Sequence, residues 1–196
     1  YDGIIARAGK ELSARASRAK VPLVNVWFSS DARERLPGVF PDFQAIGSTA
    51  GEHLIERGFR QFACLSRPRE LAHVEMVHAF HDALSNVHGE CLCGTVLRFY
   101  YRNGKSWSSF QNQLDAWIES WTPPIGLFVA FNDITIRYVV SACRKHGLRV
   151  PEDVAIIGGM NEPNICEMPP PSLSSVEVNY EQIGYSAAEM LAQLME

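Results

Sequence analysis

Short apolar runs alternate along this chain with longer stretches of helical periodicity, and that alternation restricts its possible folds more than any other feature. "DGIIA" and "VPLVNVWF" are strand-like, rich in β-branched residues, and the second enters on a proline. Between them "GKELSARASRA" suits a short helix. "FQAIGSTAGEHLIERG" predicts a helix with Ala45, Ile46, Thr49, His53 and Leu54 on its inner face and Gly58 as C-cap. The strand "RQFACLS" follows, then a helix, "RELAHVEMVHAFHDALSN", with Leu71, Val74, Val77, Phe80 and Leu84 on one stripe. Next come the strand "LCGTVLRFY" and a helix over "WSSFQNQLDAWIESW" that Pro123 and Pro124 stop. "GLFVAF" reads as a fully buried strand. "NDITIRYVVSACRKHG" is a helix with Asn132 or Asp133 as N-cap and Gly147 as C-cap. "RVPEDVAIIGG" supplies another strand, and "NYEQIGYSAAEMLAQLM" a closing helix. Strands and helices in strict turn imply parallel sheets flanked by helices, the α/β class, in which ligands bind beyond the carboxyl ends of the strands.

Composition narrows the function. The formal net charge is −4 and the pI about 5.9, which argues against this segment gripping nucleic acid itself. No apolar run is long enough to span a bilayer. The cysteines Cys64, Cys91, Cys93, Cys143 and Cys166 are odd in number and irregularly spaced, so they suggest a reducing cytoplasm rather than a disulfide framework. Tyr1 runs straight into a strand-like segment, as if the chain began within something longer.

Three strand ends carry candidate ligand residues: "VPLVNV" ends on Trp27 and Phe28, "GLFVAF" on Asn132 and Asp133, and "VAIIGG" on Met160 and Asn161. Each has a plainer reading, respectively a core aromatic, a helix cap and a gap-filling thioether.

The segments "DGII", "VPLVNV", "GEHLIERGFRQFACL", "GLFVAFND", "GLRVPEDVAIIG" and "PSLSSVEVNYEQIGYSAAEML" stand in the order of the effector-binding domain of the lac-repressor/GalR family, which this chain resembles over nearly its whole length. "PDF", "AWIESWTPPIGLFVAFND" and "SLSSV" are similar to the XylR-type branch of AraC-family regulators. The resemblance implies a periplasmic-binding-protein-like fold of two lobes. Residues 1–41 and 176–196 would form part of an N-terminal lobe whose first strands are missing, and residues 42–175 a C-terminal lobe. It further implies a small sugar-like effector in an inter-lobe cleft and a homodimer. DNA would be contacted only through a module absent from this chain. No cofactor, metal or membrane partner is implied. Lobe closure around a ligand would be a population shift, with hinges at "PDF" and "SLSSV".

Sugar-binding members hold hydroxyl groups with an Arg, where this chain has Met76, and an Asp, where it has Met160; the Asn132–Asp133 pair is retained. Trp27 stands near the place of another acid, and Asp42 and Phe43 lie at the crossover between lobes. A buried Arg or Asp left without its partner costs ~3–5 kcal/mol, so their joint replacement avoids a penalty. It suggests a less hydroxylated or more apolar ligand, with Trp27, Phe28 and Phe43 available to stack.

Other readings are a vestigial domain that only dimerises and a periplasmic solute receptor. A zinc site among His73, His78, His81, His88, Cys91 and Cys93 is disfavoured, because Cys91 and Cys93 would point to opposite faces of a strand. Catalysis is disfavoured too: the chain has no G-x-S-x-G, P-loop or G-x-G-x-x-G motif.

Overall fold

The computed structural model describes residues 2–67, 70–85, 92–98, 105–130 and 132–196. The chain divides into two compact units, one of Tyr1–Asp42 with Asn179–Glu196, the other of Phe43–Val178.

In the first unit β1 (Ile4–Ala6) pairs in parallel with β2 (Leu23–Asn25), joined by α1 (Lys10–Ala19). A 3-10 turn at Arg33–Arg35, not expected from the sequence, follows β2. The helix α7 (Tyr180–Met195) packs on this small sheet: a Cβ at Gly3 would lie 2.9 Å from Leu191 Cδ1 and 3.0 Å from Met195 Sδ. Asn25 is fully buried, and its Oδ1 accepts from the backbone N–H groups of Ala8 (3.1 Å) and Trp27 (2.9 Å). That side chain ties the ends of β1 and β2 together.

The second unit is a five-stranded parallel sheet in the order β4-β3-β5-β6-β7. Its strands are β3 (Gln61–Ser66), β4 (Leu92–Arg98), β5 (Ile125–Val129), β6 (Val154–Gly158) and β7 (Ser174–Ser175). Its helices are α2 (Phe43–Glu56), α3 (Leu71–Ser85), α4 (Lys105–Glu119), α5 (Ile134–Lys145) and the short α6 (Pro163–Cys166). The short α6 was not expected as a separate element, whereas the two-residue β7 falls within "SLSSV", which the resemblance implies is a strand at the hinge.

Alternation along the strands divides the core. Ala63, Leu65, Leu127, Val129 and Ile156 share one cluster with Leu114 and Trp117 of α4 and Val139 and Cys143 of α5. On the other face Phe80 of α3 lies against Phe62 and Phe128, with ring centroids 6.3 and 5.1 Å away. Both faces of β3, β5 and β6 are covered, which is why these strands read as almost unbroken apolar runs.

Two predicted stripes need correction. In α2 the buried residues are Phe43, Ile46, Gly47, Ala50, Gly51 and Leu54, whereas Ala45 and Thr49 are exposed. Gly47 and Gly51 allow α3 to approach so closely that its backbone takes the place of side chains. In α3, Leu71 is 46% exposed and the buried face runs through Ala72, Met76, Val77, Ala79, Phe80 and Leu84. The expected C-cap glycines hold, with φ of +86° at Gly58 and +74° at Gly147.

At the carboxyl end of α5, Asp115 of α4 accepts from Lys145 Nζ at 2.6 Å and lies 2.9 Å from His146 Nε2. These contacts hold the Asp115 carboxyl below the usual carboxylate range.

Candidate functional site

The carboxyl ends of β3, β5 and β6 carry most of the residues singled out from sequence. Asp133 occupies the N-cap position of α5 but makes no side-chain capping bond. It is fully buried, and its carboxylate accepts from the Glu162 N–H at 2.8 Å, the Ser175 hydroxyl at 3.2 Å and the Cys166 thiol at 3.3 Å. Ser175 Oγ in turn accepts from the N–H groups of Met160 (3.3 Å) and Asn161 (2.9 Å). Asn161 has φ +45°, and its amide donates to the Glu177 carboxylate. Asp133 thus knots α5, the turn after β6, and β7. Burial, reinforced by the hydrogen bond to Asp133, pushes the Cys166 thiol up to about 12, so it stays protonated as a donor.

Met76 is fully buried in α3. A Cβ at Gly159 would meet Met76 Sδ and Ile46 Cγ2 at 3.4 Å and Phe128 Cε2 at 3.5 Å. The thioether therefore packs on the tip of β6, one residue before Met160, which is half-buried. The structure brings Met76 close to the Met160 turn, and ties Asp133 to Met160 and Asn161 through Ser175. Phe43 is buried in the first turn of α2, whereas Asp42 is exposed. Trp27 belongs to the first unit, where the Arg7 guanidinium lies 5.2 Å from its ring centroid.

The second unit contains a cavity of about 290 Å³, and of its lining residues only Asn132 was among the candidates singled out from sequence. Its aromatic residues are Trp107, Phe110 and Tyr138, with Trp107 and Tyr138 edge to face at 4.6 Å. Its polar residues are Arg67, directly after β3, with Asn132 and Thr135 where β5 leads into α5, and Ile134 lines it too. The Thr135 hydroxyl donates to Asn132 Oδ1 at 2.6 Å, which fixes the Asn132 amide. The sequence places Trp107 and Phe110 only within the helix over "WSSFQNQLDAWIESW", where three-to-four spacing makes them packing residues. The available signal was a tryptophan in the first turn of a helix and an arginine at a strand end.

His73 of α3 is partly buried, and burial pushes its pKa down to about 4, with the Glu70 charge opposing and the Arg67 charge adding. The unfolded chain, at an ordinary 6.5, then takes up a proton first as pH falls. The stabilisation is complete above pH 6.5 and is lost progressively towards pH 4, by on the order of 2–3 kcal/mol. Urea midpoints at pH 7 and pH 5 should show the loss, and His73→Gln should flatten it.

Among the described residues no group of three His, Cys, Asp or Glu could hold a metal ion. His88 and Cys91 of the zinc alternative lie outside them.

Residues 51–196 match the family model of the periplasmic binding protein-like domain. The chain belongs to that family. The α/β fold with parallel sheets expected from the resemblance is the fold observed. The chain of this periplasmic-binding-protein-like domain is similar to the xylose operon regulatory protein of Escherichia coli strain K12, 29% identical over 202 residues, 100% of this chain and 50% of the relative. It is also similar to the HTH-type transcriptional repressor PurR of Aliivibrio salmonicida, 30% identical over 148 residues, 75% of this chain and 43% of the relative. A solved structure of the xylose-binding transcription activator xylR superposes with a TM-score of 0.78 at 26% identity, covering 99% of this chain and 52% of that one. This domain spans about half the length of these curated relatives. They are transcriptional regulators rather than enzymes, and no described helix of this chain is long and apolar enough to cross a membrane.

Proposed function

We propose that this chain is the effector-sensing domain of a bacterial transcriptional regulator, and that a small metabolite binds at the carboxyl end of its five-stranded sheet. The observation that carries this reading is the cavity bounded by Arg67, Trp107, Asn132 and Tyr138. It lies where parallel α/β sheets place their ligands, and it combines aromatic walls with a few polar groups, as ligand pockets do. Met160, Asn161 and Asp133 act beside it: the Asp133 knot fixes the turn after β6 relative to Asn132. In this reading Met76 contributes packing beneath that turn.

Trp27, Asp42 and Phe43 remain proposed ligand contacts on the strength of the family resemblance. The same relationship supports a cytoplasmic homodimer that reaches DNA through a separate module, with the first unit forming part of a second lobe. The effector would favour whichever arrangement it binds better, and would transmit by population shift.

Thermal melting across a panel of sugars, sugar acids and small aromatic metabolites tests the reading. At a ligand concentration one hundred times Kd, stabilisation of about 2.7 kcal/mol is expected. A flat melting temperature across the whole panel would favour a domain that only pairs with itself.

A further inference from the structure

The polar groups of the cavity point to a narrower class of effector, and this step rests on the reading of that cavity as the effector site. Among the described residues its wall holds one cation, Arg67, and no carboxylate. Asn132 already uses one lone pair of its carbonyl oxygen to accept the Thr135 hydroxyl, so its two N–H donors outnumber the acceptor capacity it has left for a ligand. Tyr138 can donate or accept, whereas the Thr135 hydroxyl, its proton given to Asn132, can only accept. The cavity is thus biased towards donors, the reverse of a site that holds sugar hydroxyls with a carboxylate.

The surroundings keep that bias. Asp133, next in sequence to Asn132, is not part of the wall, and its oxygens are taken by the Glu162 amide, the Ser175 hydroxyl and the Cys166 thiol. Asp115 lines an adjoining groove, where Lys145 and His146 hold it. The opening turns of α4 and α5 contribute Trp107, Ile134 and Thr135, so two helix amino ends add partial positive charge to the same space. In the same lining Trp107, Phe110 and Tyr138 offer rings for stacking.

We propose that the effector is a ring-bearing carboxylate, a sugar acid or small cyclic acid, whose ring lies against Trp107 and Tyr138 and whose carboxylate is held by Arg67 and the Asn132 amide. A guanidinium pairs with a carboxylate through parallel N–H···O bonds, which a neutral hydroxyl cannot match.

Isothermal titration of the protein with D-glucuronate and D-xylonate, against D-xylose and D-ribose as neutral counterparts, tests this. At least one acid should bind at least tenfold more tightly than either neutral sugar, with affinity that falls as salt rises. Asn132→Asp keeps the acceptor for Thr135 but places an acid in the wall, and should weaken the acid at least tenfold without lowering the melting temperature of the free protein. Arg67→Gln should also weaken the acid at least tenfold, and Arg67→Lys should restore part of the loss. Neutral sugars binding as tightly as the acids, or acid binding indifferent to both Asn132→Asp and Arg67→Gln, would overturn the assignment and leave the effector reading standing. No heat and no melting shift with either class would overturn both.

Discussion

Replacing Gly47 with Ala is expected to destabilise the protein by roughly 2 kcal/mol or more, although alanine is the better helix former. The intrinsic preference favours Ala over Gly by about 1 kcal/mol at a helix interior. Packing opposes it: a Cβ at Gly47 would lie 2.1 Å from the Met76 carbonyl oxygen, 2.9 Å from the Met76 carbonyl carbon and 3.0 Å from the Phe80 nitrogen. All three are backbone atoms of α3, so no side chain can swing aside and the two helices must separate. Overpacking a close contact costs about 1–3 kcal/mol and occasionally more, and this contact is at the severe end. Gly184 of α7 supplies the control, because nothing lies within 4 Å of its added Cβ. Gly184→Ala should stabilise by about 0.5–1 kcal/mol. Equal effects of the two substitutions in urea denaturation would show that α2 and α3 are not packed this closely.

The second large effect concerns Asp133. Asp133→Ala leaves the Glu162 N–H, the Ser175 hydroxyl and the Cys166 thiol facing an emptied acceptor site. A loss of about 2–4 kcal/mol follows from orphaned buried donors and the vacated volume. Asp133→Asn should cost less, since one carbonyl oxygen remains to accept. Gly158 provides an internal check. Its added Cβ would lie 2.2 Å from Asp133 Oδ1 and 2.8 Å from both Ile136 Cδ1 and Ser175 Oγ. Gly158→Ala alone should be strongly destabilising, but in the Asp133→Ala background the worst of these clashes is gone. The two costs should therefore fall short of additivity by about 1 kcal/mol or more. Strict additivity would mean that Asp133 does not sit against Gly158.

The βα order, the parallel sheet and the C-cap glycines Gly58 and Gly147 were legible because each depends on local chemistry: β-branched runs, helical periodicity and freedom at positive φ. The inner faces of α2 and α3 were less so. A search for apolar spacing passes over glycine, and in α2 two of the six buried positions are glycines whose purpose is set by a helix 30 residues away in sequence. Asp133 reads from sequence as a candidate ligand residue or a helix cap; its hydrogen-bond partners come from residues 162, 166 and 175, which no local pattern ties to it. The cavity was hidden for a similar reason. Arg67, Trp107 and Asn132 stand on three separate strand-to-helix passages, and only the sheet order β3-β5 and the packing of α4 beside α5 bring them together. Met76 and Met160 stand out in the sequence only through the family resemblance, and the structure adds that the first packs beneath the turn that holds the second.

Hydrogen–deuterium exchange, read with and without the metabolite that raises the melting temperature most, examines the cavity's role most directly. Slowed exchange is expected in the opening turns of α4 and α5, around Trp107 to Phe110 and Asn132 to Tyr138, together with the backbone at Arg67. Protection confined to other parts of the chain, with those segments unchanged, would contradict the assignment of this cavity as the place where the effector is sensed.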